Sequence, residues 1–293
     1  MRGIPGETMR DAEYFSSLED GSVRCGLCPH SCLLREGASG VCGARKNEGG
    51  RLRLPFHGFI SSIALDPVEK KPLRRFLPGT KTFSVGFWHC TMRCPFCQNW
   101  EIAHPVSVEK RYLSPEDLLD MAASSGAPSI SFTYSEPCLH IEYVKECMVL
   151  AKRRGLKTIL VTNGNILAEP ADDILSLTDA TNVDLKSFSA STYRNILGGE
   201  LETVKNFIRI AHSACHVEVT SLLVPGILDD PDQIEGIASF IASISRRIPL
   251  HITPYHPAFK YGKAAIPAER MEEIAAPAYS RLDHVYFTRP FSA

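Results

Sequence analysis

Three cysteines stand close together in the stretch HCTMRCPFCQNW. Cys90, Cys94 and Cys97 have the spacing C-x3-C-x2-C, and Phe96 precedes the last of them. Three thiolates suit a cubane iron–sulfur cluster, whose irons take cysteine ligands, and only three local ligands leave one iron with an open position. An open position is typical of a catalytic metal centre rather than a structural one. The alternatives are a zinc site completed by His89 or a distant ligand, and chance clustering in a core loop.

A second group of cysteines lies nearer the N-terminus, in a glycine-rich stretch. Its spacing is C-x2-C-x3-C-x9-C, and its members are Cys25, Cys28, Cys32 and Cys42. Four thiols in a small, turn-rich segment fit a closed zinc site, which would stabilise a unit that buries little apolar area. They could also hold a second iron–sulfur cluster, although the spacing differs from the ferredoxin pattern C-x2-C-x2-C-x3-C. The pattern favours zinc and leaves a second cluster as the alternative.

Composition excludes several classes of function. The chain has 293 residues, a formal net charge of −1, 44% hydrophobic residues and 22% charged residues. That balance gives no electrostatic reason to expect a nucleic-acid partner. No apolar run approaches the ~20 residues of a membrane span, and the N-terminal residues lack the apolar stretch of a signal peptide. We therefore expect a cytoplasmic protein without a membrane partner, whose clustered cysteines bind metal instead of forming disulfides. The remaining cysteines, Cys138, Cys147 and Cys215, are predicted to be small core residues.

Beyond about residue 80 the sequence alternates short β-rich runs with longer helical patterns. The strand candidates are residues 81–88, 129–134, 157–163, 180–186, 216–224 and 250–255. Helix candidates cover residues 113–125, 138–155 and 230–247, and the first has Ser114 as its N-cap. Strand–helix repetition of this kind predicts a parallel α/β sheet. The chain has neither a G-x-G-x-x-G after a strand nor a G-x-x-x-x-G-K-[ST], so the usual dinucleotide and P-loop functions lack support.

The chain is predicted to divide into two parts. Residues 1–75 form an N-terminal Cys-rich metal-binding segment, and residues 76–293 form the α/β core domain. The basic stretch EKKPLRRF, residues 69–76, is predicted to be a solvated linker. Because the strand candidate at 81–88 runs directly into the three-cysteine loop, that loop lies at the carboxyl end of a strand, the edge where chemistry gathers in parallel α/β folds.

The motif C-x3-C-x-aromatic-C after a first strand resembles the signature of the radical S-adenosylmethionine (SAM) superfamily. Within it, the chain resembles the radical SAM member of the AmmeMemoRadiSam system, a branch related to the pyruvate formate-lyase activating enzymes. The supporting stretches are CGLCPHSC, GVCGAR, DPVEKKPLRRFLPGT, CPFCQNWEIA, SFTYSEP, LVTNGNI, NVDLKSFSASTYRNILGG, VEVTSLLVPG and HITPYHP. The resemblance implies an α/β fold, a partial (β/α)6 TIM-like barrel with the small Cys-rich segment attached.

The resemblance also implies an activity. Cys90, Cys94 and Cys97 would hold a [4Fe-4S] cluster that cleaves SAM reductively, and the resulting 5′-deoxyadenosyl radical would abstract hydrogen from an unidentified substrate. The implied partners are an electron donor such as flavodoxin or ferredoxin and, from the AmmeMemoRadiSam resemblance, AMME-domain and Memo-like proteins. A glycyl-radical activating enzyme is the alternative enzyme, and a non-enzymatic zinc-binding interaction module is the alternative of another class. No residue identifies itself as the group that receives or relays the radical.

The residues that the resemblance assigns to SAM are Phe96, Glu136, Thr162, Asn163, Asp184, Lys186 and His256. Glu136 would meet the SAM ammonium and Lys186 the SAM carboxylate, while Phe96 and His256 would lie near the adenine. Structural alternatives are a helix cap for Glu136, an ordinary turn at Asn163 and Gly164, and an ion pair between Asp184 and Lys186.

This chain departs from the family pattern at three places. Tyr134 and Ser135 stand where the family often has two glycines, which puts a close backbone approach in doubt. Val161 stands where activating enzymes have an aspartate that helps a monovalent cation near SAM. Arg74 and Arg75 stand where the AmmeMemoRadiSam relatives usually have Tyr-His.

Overall fold

The computed structural model describes residues 10–109 and 111–288. Two small antiparallel sheets come first along the chain. Their strands are β1 (Arg10–Asp11), β2 (Phe15–Ser17), β3 (Val23–Cys25), β4 (Leu33–Leu34), β5 (Lys46–Glu48) and β6 (Arg51–Leu54). One sheet has the order β1-β6-β5 and the other β2-β3-β4. Such short strands bury little area, which matches the turn-rich composition of this segment.

The main sheet has eight strands. They are β7 (Ser62–Pro67), β8 (Lys81–Gly86), β9 (Ser129–Thr133), β10 (Lys157–Thr162), β11 (Ala180–Asp184), β12 (His216–Leu223), β13 (Leu250–Pro254) and β14 (Val285–Phe287). They are hydrogen-bonded in the order β14-β13-β12-β11-β10-β9-β8-β7, with β8 to β14 parallel and β7 antiparallel to β8. All six predicted strands are confirmed. Because β7 and β14 are the edges and do not pair with each other, the barrel is partial, as predicted.

Helices connect the parallel strands. They are α1 (Trp100–Ala103), α2 (Pro115–Ser124), α3 (Ile141–Arg153), α4 (Ala168–Ser176), α5 (Ala190–Thr192), α6 (Leu201–Ala214), α7 (Pro231–Ile244) and α8 (Ala268–Arg281). The three helix candidates correspond to α2, α3 and α7. Ser114 caps α2 by accepting a hydrogen bond from the backbone N–H of Asp117 at 3.1 Å, as its position predicts. None of the helices within residues 10–109 and 111–288 is long and apolar enough to span a membrane.

Strand β7 belongs to the main sheet although it precedes residue 76. It pairs with β8 along its whole length, from Ser62 opposite Gly86 to Pro67 opposite Lys81. The division at residue 75 remains a prediction, and this pairing is a reason to place the start of the barrel before it. Cys138 and Cys147 are fully buried, as predicted, whereas Cys215 is partly exposed and packs against the core.

The stretch predicted to be a solvated linker instead crosses the barrel. Leu73 of this stretch and Val68 just before it are fully buried against Ile159 of β10 and Ala180 of β11. The Asn182 side-chain amide donates to the carbonyl of Pro72 at 2.9 Å. The linker prediction is therefore wrong, because the middle of the stretch is buried against the barrel strands.

Glu218 of β12 binds the C-terminal part of the stretch 69–76. The carboxylate is fully buried and accepts hydrogen bonds from the backbone N–H groups of Arg74 and Arg75 and from the Nε2 atoms of His216 and His251. Burial alone would raise the pKa of Glu218, but these donors favour the ionised form and lower the pKa to about 2. The side chains of Arg74 and Arg75 are exposed.

A buried ion pair joins the N-terminal segment to the barrel. Arg45 donates to both carboxylate oxygens of Glu142 in α3, at 2.9 and 2.8 Å, and the two side chains are 1% and 6% exposed. Arg45 also donates to the carbonyl oxygens of Glu13 and Leu139. Removal of either charge would leave the other unpaired in a site closed to water.

Candidate functional site

The three-cysteine loop follows β8, at the carboxyl edge of the parallel strands. Cys94 is buried, and Cys90 and Cys97 are partly buried. The backbone N–H of Met92 and the side-chain amide of Asn163 donate to the Cys90 sulfur at 3.4 and 3.5 Å. Donors of this kind stabilise a thiolate or a metal-bound sulfur. The loop therefore presents three adjacent sulfurs at the edge where the sequence placed them.

The charges near the three sulfurs act in opposite directions on the thiol pKa values. Burial raises the pKa of Cys90 well above its ordinary value, with further repulsion from Glu136 and Cys94. Burial raises the pKa of Cys94 to about 11, and the Lys186 ammonium works against that rise. Lys186 likewise opposes the raised pKa of Cys97. A cationic cofactor atom beside the sulfurs would favour the thiolate form of all three.

No three His, Cys, Asp or Glu side chains within the described ranges converge closely enough to hold a single metal ion. A cubane cluster does not require its three ligands to meet at one metal ion, because each thiolate binds a different iron. The three sulfurs, each within electrostatic range of the others, suit that donor arrangement.

Glu136 connects the ends of β9 and β10 beneath the loop. It is fully buried, and its oxygens accept from the Thr162 hydroxyl at 2.7 Å and the Asn163 backbone N–H at 2.9 Å. It also accepts from the backbone N–H of Cys138, so it caps the 3-10 helix Pro137–His140. Burial raises the pKa of Glu136, although these donors oppose the rise. The capping alternative is therefore real, and the structure brings Glu136, Thr162, Asn163 and the Cys90 sulfur together.

Asp184 and Lys186 lie at the end of β11 on the other side of the loop. The Lys186 ammonium and an Asp184 carboxylate oxygen are 2.8 Å apart, and the side chains are 20% and 36% exposed. Burial disfavours the charged ammonium, but Asp184 and Cys94 outweigh it and raise the pKa of Lys186. The pair faces the barrel mouth with some solvent access, so it can meet a polar ligand.

Phe96 and His256 differ in their surroundings. The Phe96 side chain is buried and meets Tyr261 edge to face, with ring centroids 6.4 Å apart. His256 is exposed in the loop after β13, and within the described residues it makes no hydrogen bond or ion pair. The structure thus does not join His256 to the other candidate residues. Val161 is partly buried against the crossing stretch and offers no oxygen to a cation.

Tyr134 and Ser135 keep the backbone that the family's glycines would supply. Their φ angles are +47° and +66°, in the left-handed region that ordinary residues rarely adopt. The Ser135 hydroxyl donates to the His89 carbonyl, which offsets part of the strain. Two residues with side chains therefore adopt a backbone conformation that glycine adopts more readily.

The Tyr134 side chain ends in a buried polar group that the sequence did not reveal. Its hydroxyl donates to Asp66 at 2.6 Å and accepts from the ammonium of Lys71 at 3.0 Å. Lys71 is 1% exposed, and burial lowers its pKa. Burial and Asp66 raise the pKa of Tyr134 to about 12. No sequence pattern signals this group, because Tyr134 lies 68 residues from Asp66 and 63 from Lys71 in the chain.

The four N-terminal cysteines lie together and next to the three-cysteine loop. A Cβ at Gly40 would lie 3.5 Å from the Cys42 sulfur and 3.8 Å from the Cys32 sulfur. Burial raises the pKa of Cys25, Cys28 and Cys42, and for Cys28 the value is about 12. The donor set is all thiol, which suits zinc or an iron–sulfur cluster by its chemistry, but among the described residues these sulfurs do not converge on one point as a single zinc ion requires.

The two cysteine groups approach each other through Gly43 and His89. Gly43 has a φ of +75°, and a Cβ there would lie 3.0 Å from the His89 ring. His89 itself has a φ of +73° and immediately precedes Cys90. The N-terminal segment therefore packs directly on the loop at the barrel mouth.

Comparison with known proteins gives a consistent assignment. The family model of the radical SAM superfamily matches residues 89–241, just over half of the chain. An uncharacterized protein of Methanocaldococcus jannaschii is 36% identical over 256 residues, covering 86% of this chain and 76% of that protein. The pyruvate formate-lyase 1-activating enzyme of Escherichia coli is 26% identical over 218 residues, covering 71% of this chain and 87% of the enzyme. Streptococcus suis SuiB bound to S-adenosylmethionine shares the fold, with a TM-score of 0.55, 14% identity and coverage of 70% of this chain and 51% of that chain.

Proposed function

Because this chain belongs to the radical SAM superfamily and is an enzyme related to the activating enzymes, we propose that Cys90, Cys94 and Cys97 hold its [4Fe-4S] cluster. Given SAM and one electron from a donor, a cluster held there would supply a 5′-deoxyadenosyl radical for hydrogen abstraction from the substrate. The observation that carries the proposal is the meeting of three sulfurs with two polar groups at one sheet edge: Glu136 with Asn163, and Asp184 with Lys186. Family membership removes the support for a non-enzymatic zinc module.

The residues around the sulfurs have separate tasks in this proposal. Asn163 holds the Cys90 sulfur, and Glu136 fixes Asn163 through its backbone N–H. Lys186 offers its ammonium to the SAM carboxylate, with Asp184 holding it in place. Phe96 closes the apolar side of the adenine pocket. Thr162 and Glu136 support the SAM ammonium end, and His256 reaches the adenine only if its exposed loop turns inward.

Anaerobic reconstitution tests the proposal. The protein is loaded with iron and sulfide, reduced with dithionite and given SAM, and 5′-deoxyadenosine is measured by chromatography. We expect a brown protein that forms 5′-deoxyadenosine. A colourless protein containing only zinc, or a brown protein that leaves SAM intact, would contradict the proposal.

Replacement of Lys186 by Met is expected to weaken SAM binding roughly tenfold or more, because a charge-assisted contact to the SAM carboxylate is lost. The measurement is the dissociation constant of SAM by equilibrium dialysis on the reconstituted protein. The matched control is Lys157→Met, which breaks the Lys157–Asp179 pair of 3.0 Å at the opposite end of β10. Equal affinities of the two variants for SAM would show that Lys186 does not bind SAM.

We also propose that Cys25, Cys28, Cys32 and Cys42 hold a metal centre, either zinc or a second iron–sulfur cluster. The support is their mutual proximity in a segment with little core of its own. Replacement of Cys28 by Ala is expected to release that metal and lower the melting temperature by several degrees. Metal analysis of the wild type identifies the metal, and the same analysis with thermal melting tests the variant. Unchanged metal content and melting temperature would show that no centre forms there.

We also propose the partners of the enzyme and the class of its substrate. The AmmeMemoRadiSam motifs favour AMME-domain and Memo-like partners, with flavodoxin or ferredoxin as electron donor, in the cytoplasm. The similarity to pyruvate formate-lyase activating enzymes favours the second candidate, installation of a glycyl radical on a protein. An electron paramagnetic resonance signal from pyruvate formate-lyase after incubation with the loaded enzyme would support the second candidate. Stimulation of 5′-deoxyadenosine formation by purified AMME-domain and Memo-like proteins would support the first.

A further inference from the structure

A patch of cations and aromatic rings lies beside the three-cysteine loop. We call it the mouth patch and define it by Arg93, Arg194, His104, Trp100, Phe259 and Lys260. It does not overlap the residues assigned to SAM. We infer that the mouth patch is the docking surface for an acidic electron-carrier protein, an inference that rests on the proposed function of the cysteine loop.

The cationic half of the patch borders a cleft of about 240 Å³ between the N-terminal segment and the barrel. Arg93 and Arg194 line it, and within the described residues neither guanidinium has an ion-pair partner. Glu200 and His30 line the same cleft, and burial together with Arg93 lowers the pKa of His30. Two unpaired guanidiniums against one carboxylate leave a net positive surface that favours an anionic partner.

The aromatic half is a stack of three rings. Phe259 lies parallel to Trp100, with centroids 5.4 Å apart and 10° between planes, and parallel to His104 at 5.8 Å and 18°. Trp100 and Phe259 are 37% and 36% exposed. Phe259 has a φ of +55°, a strained conformation for a phenylalanine that holds its ring in the stack. Exposed aromatic rings beside arginine are the composition of a protein-binding hot spot.

The two halves are continuous. Arg93 lines the cleft and lies two residues before Pro95, whose carbonyl accepts a hydrogen bond from the backbone N–H of Lys260 beside the ring stack. The Lys260 ammonium lies 5.0 Å from the centroid of the Phe259 ring. The cations of the cleft and the ring stack are thus joined through the three-cysteine loop.

The patch is tied to the residues that would hold the cluster. Arg93 and Pro95 flank Cys94 in the chain, and Trp100 lies three residues after Cys97. The backbone N–H of Lys260 donates to the Pro95 carbonyl at 3.0 Å. A carrier bound here would sit beside the cluster ligands without blocking the barrel. It would pass one electron, so that the carrier is oxidised and the cluster reduced, with no bond made or broken. The patch therefore favours an electron carrier over a substrate, which must reach the interior.

The test uses flavodoxin as the acidic carrier and measures two quantities. Its dissociation constant from the reconstituted enzyme is determined calorimetrically, and 5′-deoxyadenosine formation is compared with reduced flavodoxin and with dithionite, which needs no docking. Arg194→Glu and Lys260→Glu are each expected to weaken flavodoxin binding about tenfold and to lower the flavodoxin-to-dithionite rate ratio by a similar factor. Raising the salt from about 50 to about 300 mM should lower that ratio in the wild type.

Arg153→Glu is the matched control, because it makes the same charge change at an exposed arginine near the carboxyl end of α3. Wild-type binding in both patch variants would overturn the inference, and so would an equal fall of the two rates. Absence of 5′-deoxyadenosine with dithionite in the wild type would instead contradict the proposed function, and the binding measurement would still decide on docking. Thermal melting verifies that each variant is folded.

Discussion

Cys94→Ala is expected to abolish 5′-deoxyadenosine formation while leaving the melting temperature close to that of the wild type. Loss of residues that merely orient metal ligands costs 10- to 100-fold, so loss of a ligand should cost at least about 100-fold. The melting temperature should change little because alanine keeps the Cβ of Cys94, so only one sulfur atom leaves the core. The measurements are iron content, product formation with dithionite, and thermal melting.

Cys215→Ala is the control for the loss of a thiol. Cys215 lies between α6 and β12, is partly exposed and packs against the core. Its replacement by alanine also removes one sulfur atom, but at a position outside the candidate site. It should retain iron, activity and stability. Wild-type activity in Cys94→Ala would show that another residue holds the cluster. Global unfolding of Cys94→Ala would show that the loop thiol is structural.

Arg45→Met is expected to lower the free energy of unfolding by about 3–5 kcal/mol, the largest stability effect we predict. The substitution leaves the Glu142 carboxylate buried without its cation, and it removes donors to the carbonyl oxygens of Glu13 and Leu139. It should also weaken the N-terminal metal centre, because burial raises the pKa of Cys25 and Cys42 and the Arg45 charge opposes that rise. Urea unfolding and thermal melting measure the first effect, and metal analysis measures the second.

The structure provides a contrast for this prediction. Arg51 pairs with Asp11, but these side chains are 55% and 37% exposed, so Arg51→Met should cost no more than about 1 kcal/mol. The double variant Arg45→Met, Glu142→Leu should recover part of the loss, because no buried charge remains unpaired. Equal losses for Arg45→Met and Arg51→Met would show that the N-terminal segment does not depend on the buried pair.

Part of the architecture could be predicted because it depends on patterns among residues that are close together in the sequence. Each of the six predicted runs became a strand, and the Ser114 cap and the acidic start of α7 are local hydrogen-bonding signals. Strand β14 was not predicted, because its three residues carry too short a pattern to distinguish from a turn. Strand β7 was assigned to the N-terminal segment, because pairing with β8 cannot be read from either strand alone.

The sequence predicted the cysteines of the candidate site but not the contacts among the residues around them. The cysteine spacing places three sulfurs on one loop whatever the rest of the chain does. By contrast, the pairing of Glu136 with Thr162 and Asn163 joins residues 26 and 27 positions apart, and the Tyr134–Asp66 bond joins residues 68 apart. Contacts at such separations depend on which strands become neighbours.

The sequence by itself therefore determined the strand–helix order, the two sets of sulfur donors and the family to which they belong. These are properties of neighbouring residues, fixed by backbone periodicity and by ligand spacing. Only the tertiary structure decided that a basic stretch crosses the barrel, that Tyr134 and Ser135 adopt a conformation typical of glycine, and that exposed cations and rings from separate parts of the chain lie beside the three-cysteine loop. Those outcomes depend on packing between distant segments, where burial and pairing of charges outweigh local preference.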